Sequence, residues 1–118
     1  MPVDKGLVAH LMGMLEPLGG VTGKAMFGGY GIWHDGQMFA LIASDSTFYL
    51  KTDDSNRARF EAAGSEAFQP PMPRGRRQMT MPYHVVPAEV VDDADTLREW
   101  ARASIAVAHS TPPRRRRG

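Results

Sequence analysis

Seven arginines in two short segments are the residues whose type and spacing best fit one chemical task, the binding of a polyanion. They are Arg74, Arg76 and Arg77 in a stretch rich in proline and glycine, and Arg114, Arg115, Arg116 and Arg117 near the C-terminus. Guanidinium groups pair with phosphate oxygens, and several such contacts give salt-dependent binding with little sequence preference. The alternative, which the composition of both segments favours slightly, is a solvated loop and a solubilising tail.

The glycines of Gly28-Gly29-Tyr30-Gly31 raise the question of a phosphate-binding loop. Such a loop needs a helix N-terminus directly after its glycines, so that backbone N–H groups point at the anion. Here residues 31–34 have strand character, and no Lys-Ser or Lys-Thr pair follows. The glycines therefore predict a β-bulge or a close crossing of strands rather than a nucleotide site.

No arrangement of nucleophiles or carboxylates predicts catalysis. None of the serines lies in a Gly-x-Ser-x-Gly turn, which exposes a nucleophile above a sheet. The pairs Asp53-Asp54 and Asp92-Asp93 precede predicted helices, where the helix dipole accounts for them. We therefore predict no catalytic residues and no cofactor, and that the chain is not an enzyme. An enzyme or small-ligand binder remains as an alternative that would need a pocket lined by convergent polar groups.

The histidines do not predict a metal site. His34 and Asp35 occupy the start of a predicted turn, where adjacent side chains point to opposite faces. The four histidines fall on four different predicted elements with no short ligand spacing: His10, His34, His84 and His109. The prediction is that no metal is bound.

Aromatic residues in the central part of the chain suggest a stacking platform for single-stranded nucleic acid, but the charges do not fit. Such a platform needs exposed rings interleaved with Lys or Arg. Only Lys24 and Lys51 accompany these strands. Packing of the rings in the core is the simpler prediction, and a patch of exposed rings would indicate a protein partner. The rings are Tyr30, Trp33, Phe39, Phe48 and Tyr49.

Length and composition bound the remaining choices. A chain of 118 residues is expected to form one domain with its own core. The absence of cysteine excludes disulfides, thiolate metal sites and cysteine nucleophiles. The net charge of +1 divides unevenly, because residues 1–113 carry ten Lys and Arg against 13 Asp and Glu, a net charge of −3. With no membrane-length apolar run and no signal-peptide pattern, we predict a cytoplasmic protein without membrane contact.

In the first half of the chain, the patterns predict one helix and a strand meander. Leucines at four-residue spacing predict a helix over about residues 3–18, with Asp4 as a candidate N-cap. Strands are predicted at 23–27, 30–34, 37–42 and 47–51. Asp35-Gly36 between two apolar runs is a strong hairpin signal.

In the second half, helices and short strands alternate. Asp53 or Asp54 is expected to cap a helix that ends near residue 63, before Gly64. Strands follow at 67–69 and 78–83, where Pro82 predicts a sheet edge, and residues 70–77 break regular structure. A short helix at 88–91 and a last helix at 94–109, capped by Asp93 or Asp95, complete the domain. The prediction is an α+β fold of residues 1–110, with helices packed on an antiparallel sheet, and a disordered tail of residues 111–118.

A family resemblance extends over about residues 3–108. It is carried by Met26-Phe27-Gly28-Gly29, Gly31-Ile32, Asp35-Gly36, Phe39-Ala40-Leu41-Ile42, Tyr49-Leu50-Lys51, Asp53, Arg57, Phe60, Gly64, Phe68, Met79, Met81-Pro82-Tyr83, Val86-Pro87-Ala88-Glu89-Val90, Asp95, Leu97, Trp100 and Ala101. On these residues the chain resembles the TfoX/Sxy N-terminal domain family. The resemblance implies an α+β domain, a link to regulators of natural competence, and no catalytic residues. The fuller regulators carry a second, helical C-terminal domain, so the end at Gly118 predicts a single-domain member.

Three functional hypotheses follow. The leading one is a regulatory interaction module that binds another protein, such as a transcription regulator, through the sheet edge near residues 78–83 and the stretch 70–77. A homodimer formed by strand pairing is a variant of it. The second is weak, nonspecific nucleic-acid binding through Arg74, Arg76, Arg77 and the tail. The third is the enzyme or small-ligand binder.

Overall fold

The computed structural model of the chain describes residues 3–110, in which a six-stranded antiparallel sheet carries helices on one face. The strands are β1 (Val21–Met26), β2 (Gly29–His34), β3 (Gln37–Ile42), β4 (Phe48–Lys51), β5 (Ala67–Phe68) and β6 (Met81–Val85). The helices are α1 (Lys5–Leu15), which continues into a 3-10 turn at Glu16–Leu18, α2 (Arg57–Ala62), α3 (Ala88–Val91) and α4 (Ala94–Ser110). The predicted α+β fold is confirmed.

Two hairpin turns of two residues each join the first three strands. In Phe27-Gly28 the φ angles are 48° and 79°, and in Asp35-Gly36 they are 46° and 87°. Positive φ at both positions is the pattern of the type I′ turn, whose twist matches that of paired strands. The Asp35-Gly36 hairpin is confirmed. The prediction that Phe27 ends a strand is wrong, because β1 ends at Met26 and Phe27 lies in the turn.

The strand order across the sheet is β1-β2-β3-β4-β6-β5. β6 therefore lies between β4 and the two-residue β5, and the predicted sheet edge at residues 78–83 is wrong. Pro82 fits an interior strand because it lies opposite Thr52, just beyond the end of β4. Its carbonyl accepts a hydrogen bond from Thr52 N at 2.9 Å, and the missing donor falls outside the regular ladder.

The core lies between the sheet and the helices. Its largest fully buried apolar side chains are Leu11, Leu15, Ile32, Phe39, Ile42, Leu50, Phe60 and Leu97. The inward faces predicted for the first and last helices are confirmed by Leu11, Leu15, Leu97 and Ala101, which have no exposed surface. Burial of these apolar faces is the main stabilising contribution to the fold.

The helix ends follow the capping rules with one correction. Asp4 accepts hydrogen bonds from Gly6 N and Leu7 N at 2.8 and 3.2 Å, and Asp93 accepts from Asp95 N and Thr96 N at 3.1 and 3.4 Å. Asp53 instead closes a turn on Ser55 N, and regular helix begins only at Arg57. The helix predicted from the Asp53-Asp54 pair is thus real but shorter.

The glycines of β2 allow a close approach, as predicted. A Cβ atom at Gly31 would lie 2.7 Å from the Met26 sulfur and 2.7 Å from the Trp33 ring. The sheet does contain a bulge, but at Phe39, which has no partner because Ile32 pairs with Ala40 and Trp33 pairs with Met38.

Across residues 3–110, every helix is too short or too polar to cross a membrane. The predicted disordered tail, residues 111–118, lies outside the described residues.

Candidate interaction surface

The face of the sheet opposite the core, which we call the open face, carries no helix among residues 3–110. Side chains alternate along a strand and paired residues share a face, so the register assigns the alternate residues to this side. Leu41 pairs there with Tyr49, and Lys51 pairs with Tyr83. The Tyr49 ring packs against Phe68, with centroids 4.6 Å apart. The open face is therefore largely apolar.

An apolar groove of about 540 Å³ extends over the open face, from the β1–β2 turn to β5 and β6. This volume lies within the range of roughly 300–1,000 Å³ that is usual for pockets that bind ligands. Pro70 and Pro71 form one wall. They begin the connection between β5 and β6, residues 69–80, which we call the Pro-Arg loop, and Gln78 Nε2 joins its two arms by donating to Pro70 O at 2.8 Å. The floor of the groove includes Met26, Met38, Leu41, Phe68, Met81 and Tyr83.

Phe27 lies at the rim of the groove with 94% of its surface exposed. Its φ of 48° is strained for a bulky side chain, and the exposed ring gains almost no burial. Asp35 holds the same position in the next hairpin, where its side chain tolerates positive φ. A residue that costs stability in this way is typical of a functional surface. Phe27 is not among the site residues predicted from the sequence, although Phe27-Gly28 between two strands is consistent with a hairpin turn.

The polar groups lining the groove are hydroxyls. Among the described lining residues they belong to Ser44 and Tyr83. Tyr30 pairs with the core residue Ile42, and its ring and hydroxyl lie over Gly23 on the helix side of the sheet. Burial raises the pKa of Tyr83 to about 12, so this hydroxyl stays protonated at neutral pH. Because no carboxylate, imidazole or amine lines the described groove, it offers no base to activate a nucleophile.

The arginines predicted to bind polyanions divide between described and undescribed parts of the chain. Arg74, Arg76 and Arg77 are exposed together in the Pro-Arg loop, a few residues from the prolines of the groove wall. They make no ion pair within residues 3–110, whereas the guanidiniums of Arg57 and Arg98 pair with carboxylates on or beside their own helices. The other four, Arg114, Arg115, Arg116 and Arg117, lie outside the described residues.

Two lysines add positive charge to the open face. The Lys51 ammonium lies over the ring of Tyr83, 5.6 Å from its centroid. Lys24 is exposed on β1 opposite Gly31, on the same side as Met26. Negative charge is found beside Tyr49, whose pKa is raised by burial and, to a smaller extent, by the carboxylates of Asp45 and Glu66.

Two histidines from different elements are in contact. His34 Nδ1 lies 3.0 Å from His109 Nε2, which also lies 3.0 Å from the His34 carbonyl oxygen. Because the carbonyl oxygen can only accept, the shared proton belongs on His109 Nε2. The fold thus joins the end of α4 to the β2–β3 hairpin, but within residues 3–110 no three His, Asp or Glu side chains form a metal-binding cluster.

His84 lies on the helix side of the sheet, directly after Tyr83 in the chain. It is buried, its Nδ1 is 2.9 Å from Thr52 Oγ1, and its ring packs against Phe60. Burial lowers the pKa of His84 below its ordinary value. These contacts give His84 a structural place in the core.

The aromatic platform, considered from the sequence as an alternative to core packing, does not form as one surface. Phe39 and Phe48 are buried in the core, as expected from the strand pattern. Tyr49 packs against Phe68, so the ring that stands free beside the groove is Phe27, which the prediction did not include.

Comparison with known protein families assigns the chain to a family. The model of the TfoX N-terminal domain family matches residues 13–108, most of the chain. The chain belongs to this family. The resemblance inferred from the Met26–Gly29 and Asp35-Gly36 segments is therefore confirmed, and the chain is a competence-regulator-like domain. No curated protein matches it in sequence. In this TfoX N-terminal domain, the groove and the Pro-Arg loop together form the candidate interaction surface.

Proposed function

We propose that this chain is a small, non-enzymatic regulatory domain of the cytoplasm that acts by binding another protein through the groove. The observation that carries the proposal is the apolar groove on a sheet face that no helix of residues 3–110 covers, with the strained and exposed Phe27 at its rim. Exposed apolar patches rimmed by polar groups mark interaction sites, and aromatic residues and methionine are enriched at their centres. Membership of the TfoX N-terminal domain family supports the regulatory role, and the partner we propose is a transcription regulator.

Photo-cross-linking in cells of the native host tests this proposal. The photoreactive residue p-benzoylphenylalanine replaces Phe27 in one version of the chain and Ala106, exposed on α4, in the control. We expect one defined protein adduct from position 27 and none of the same protein from position 106. The purified partner should then bind the wild-type chain at least about tenfold more tightly than the Phe27→Asn variant, the effect of losing an interface anchor.

Equal cross-linking from both positions, or the absence of a protein adduct at position 27, would contradict the proposal. Misfolding is not a confounding factor in this comparison, because Phe27 is 94% exposed and Asn suits the positive φ at that position.

Nucleic-acid binding is a second candidate, favoured by the three exposed guanidiniums of the Pro-Arg loop that lack ion pairs within residues 3–110. The test is fluorescence anisotropy with duplex and single-stranded DNA at low and physiological salt. It compares the full chain with a chain ending at Ser110, where α4 ends. Binding that survives both truncation and physiological salt would make the folded domain a nucleic-acid reader, whereas binding that disappears with the tail or with salt would remove this candidate.

A further inference from the structure

We infer that the occupant of the groove is an acidic amphipathic segment of the partner protein. Its apolar side chains would enter the groove and its carboxylates would face the arginines of the Pro-Arg loop. The inference rests on the proposed function and specifies the chemistry of the partner.

The lining of the groove suits one apolar face of a helix or extended segment. Met26, Met38 and Met81 contribute flexible, polarisable thioethers to the lining. Methionine-rich surfaces repack around apolar side chains of different shapes, and grooves of this kind bind the apolar face of an amphipathic helix. Phe27 at the rim can close over such a face, because almost all of its ring is free.

The positive charges around the groove favour an occupant whose polar face is negatively charged. Three arginines of the Pro-Arg loop are exposed, and none of them has a carboxylate partner within residues 3–110. Lys24 and Lys51 lie on the same face. The carboxylates of Asp45 and Glu66 act on Tyr49, so the positive charge beside the groove is that of the three arginines and the two lysines. Complementary charges at a rim provide specificity and faster association.

The same charges argue against two other occupants. A second copy packed face to face would bring the lysines of both open faces together, at a cost from like-charge repulsion. The chain's own tail, residues 111–118, carries four arginines and no large apolar side chain. Nucleic acid is disfavoured for a different reason, since the two rings of the groove floor are not free for base stacking. Phe68 packs against Tyr49, and Tyr83 is buried beneath Lys51.

Binding of designed peptides to the full-length chain tests the inference. Three dye-labelled helical peptides share one length: an acidic peptide with Leu and Phe on one face and Glu elsewhere, the same peptide with Lys for Glu, and an acidic peptide with Ala for Leu and Phe. By fluorescence anisotropy, we expect the acidic amphipathic peptide to bind at least about tenfold more tightly than either control. Its affinity should fall several-fold from low to physiological salt.

Variants of the chain locate the binding site. Phe27→Asn and the double variant Arg74→Glu/Arg77→Glu should each weaken binding of the acidic amphipathic peptide by about tenfold. The matched control is Lys5→Glu/Arg102→Glu, which changes the net charge equally at exposed positions on α1 and α4 and should leave the affinity within about twofold. Circular dichroism and thermal unfolding confirm that each variant is folded.

Four results would overturn the inference. If the basic peptide binds as tightly as the acidic one and both depend on Phe27, the groove still binds protein, and the acidic occupant alone is wrong. If an oligonucleotide binds more tightly than the peptide and displaces it, the site is one for nucleic acid. A dimer in light scattering that Phe27→Asn dissociates would make a second copy the occupant. Binding of none of the probes at millimolar concentration would also reject it, while the cross-linking result would still decide the proposed function.

Discussion

The two faces of the sheet are built from alternate residues of the same strands, yet the helices described within residues 3–110 pack on only one of them. Tyr83 and His84 are adjacent in the chain, and their side chains show how the two faces differ in packing. His84 faces the helices, bonds to Thr52 and packs against Phe60, so both its polar and its apolar parts have partners. Tyr83 faces the groove beneath Lys51, where apolar side chains leave about 540 Å³ unfilled. An antiparallel sheet with a solvated face normally carries polar residues there, so an apolar open face indicates a surface that is covered in use.

The two hairpin turns repeat this contrast on a smaller scale. Both have positive φ at their first residue, but Asp35 suits that conformation and Phe27 does not. Phe27 is also the one that borders the groove. Departures from a local rule are expected at functional positions, because the stability lost there is supplied by the rest of the fold.

Removing a large aromatic ring should reveal the largest difference in stability between the two faces of the sheet. Phe60 is fully buried, with its ring 4.8 Å from that of Trp100, so Phe60→Ala should lower the free energy of unfolding by about 3–5 kcal/mol. Phe68 lies on the open face, where water already reaches the groove. Phe68→Ala should therefore lower the free energy of unfolding by at most about half as much. Urea denaturation of both variants measures this, and equal losses would mean that the open face belongs to the core.

The loss of stability at alkaline pH is expected to depend on tyrosines of the open face. Because the pKa of Tyr83 is raised from 10.0 to about 12, the unfolded chain loses this proton first. The contribution is complete below pH 10 and is lost as the pH rises towards about 12. Tyr83→Phe should flatten this loss in urea titrations, and adding Tyr49→Phe should flatten it further, since the pKa of Tyr49 is raised in the same direction. An unchanged slope in Tyr83→Phe would contradict the burial of this hydroxyl.

The loss of stability at acid pH is expected to depend on His84, on the helix side of the sheet. Burial lowers the pKa of His84 below its ordinary 6.5, so the unfolded chain binds this proton more readily than the folded one. Stability from the neutral ring is present above pH 6.5 and is lost as the pH falls below it. NMR of the imidazole signals should show His84 titrating below the unfolded value. In His84→Asn the corresponding slope should disappear, and a titration at or above 6.5 would reject this assignment.

The smallest effect expected is a gain in stability. Phe27→Asn should raise the free energy of unfolding by about 1 kcal/mol, because Asn tolerates the positive φ and little burial is lost. Asp35→Asn, at the equivalent position of the other hairpin, should change it by less than about 0.5 kcal/mol. Thermal and urea unfolding check both. A destabilised Phe27→Asn variant would show that the ring supports the fold, and the case for Phe27 as a binding residue would weaken.

Much of the fold was predictable because it depends on short-range signals. Asp35-Gly36, the caps Asp4 and Asp93, and the short helix Ala88–Val91 were read from neighbouring residues, and each is confirmed. The site was predicted less well. The Pro-Arg loop was recognised by its composition, but the groove beside it was not, because it combines side chains from β1, β3, β5 and β6.

The sequence alone therefore determined the elements of this protein and its family, because turns, caps and apolar periodicity act within a few residues. Only the tertiary structure decided that β6 lies inside the sheet, that His34 meets His109 across 75 residues of chain, and that one sheet face has no helix of the described residues packed on it. These features depend on which distant segments pack together. The physical reason is that burial and strand pairing depend on the whole core, whereas the pattern of a single strand permits either an edge or an interior position.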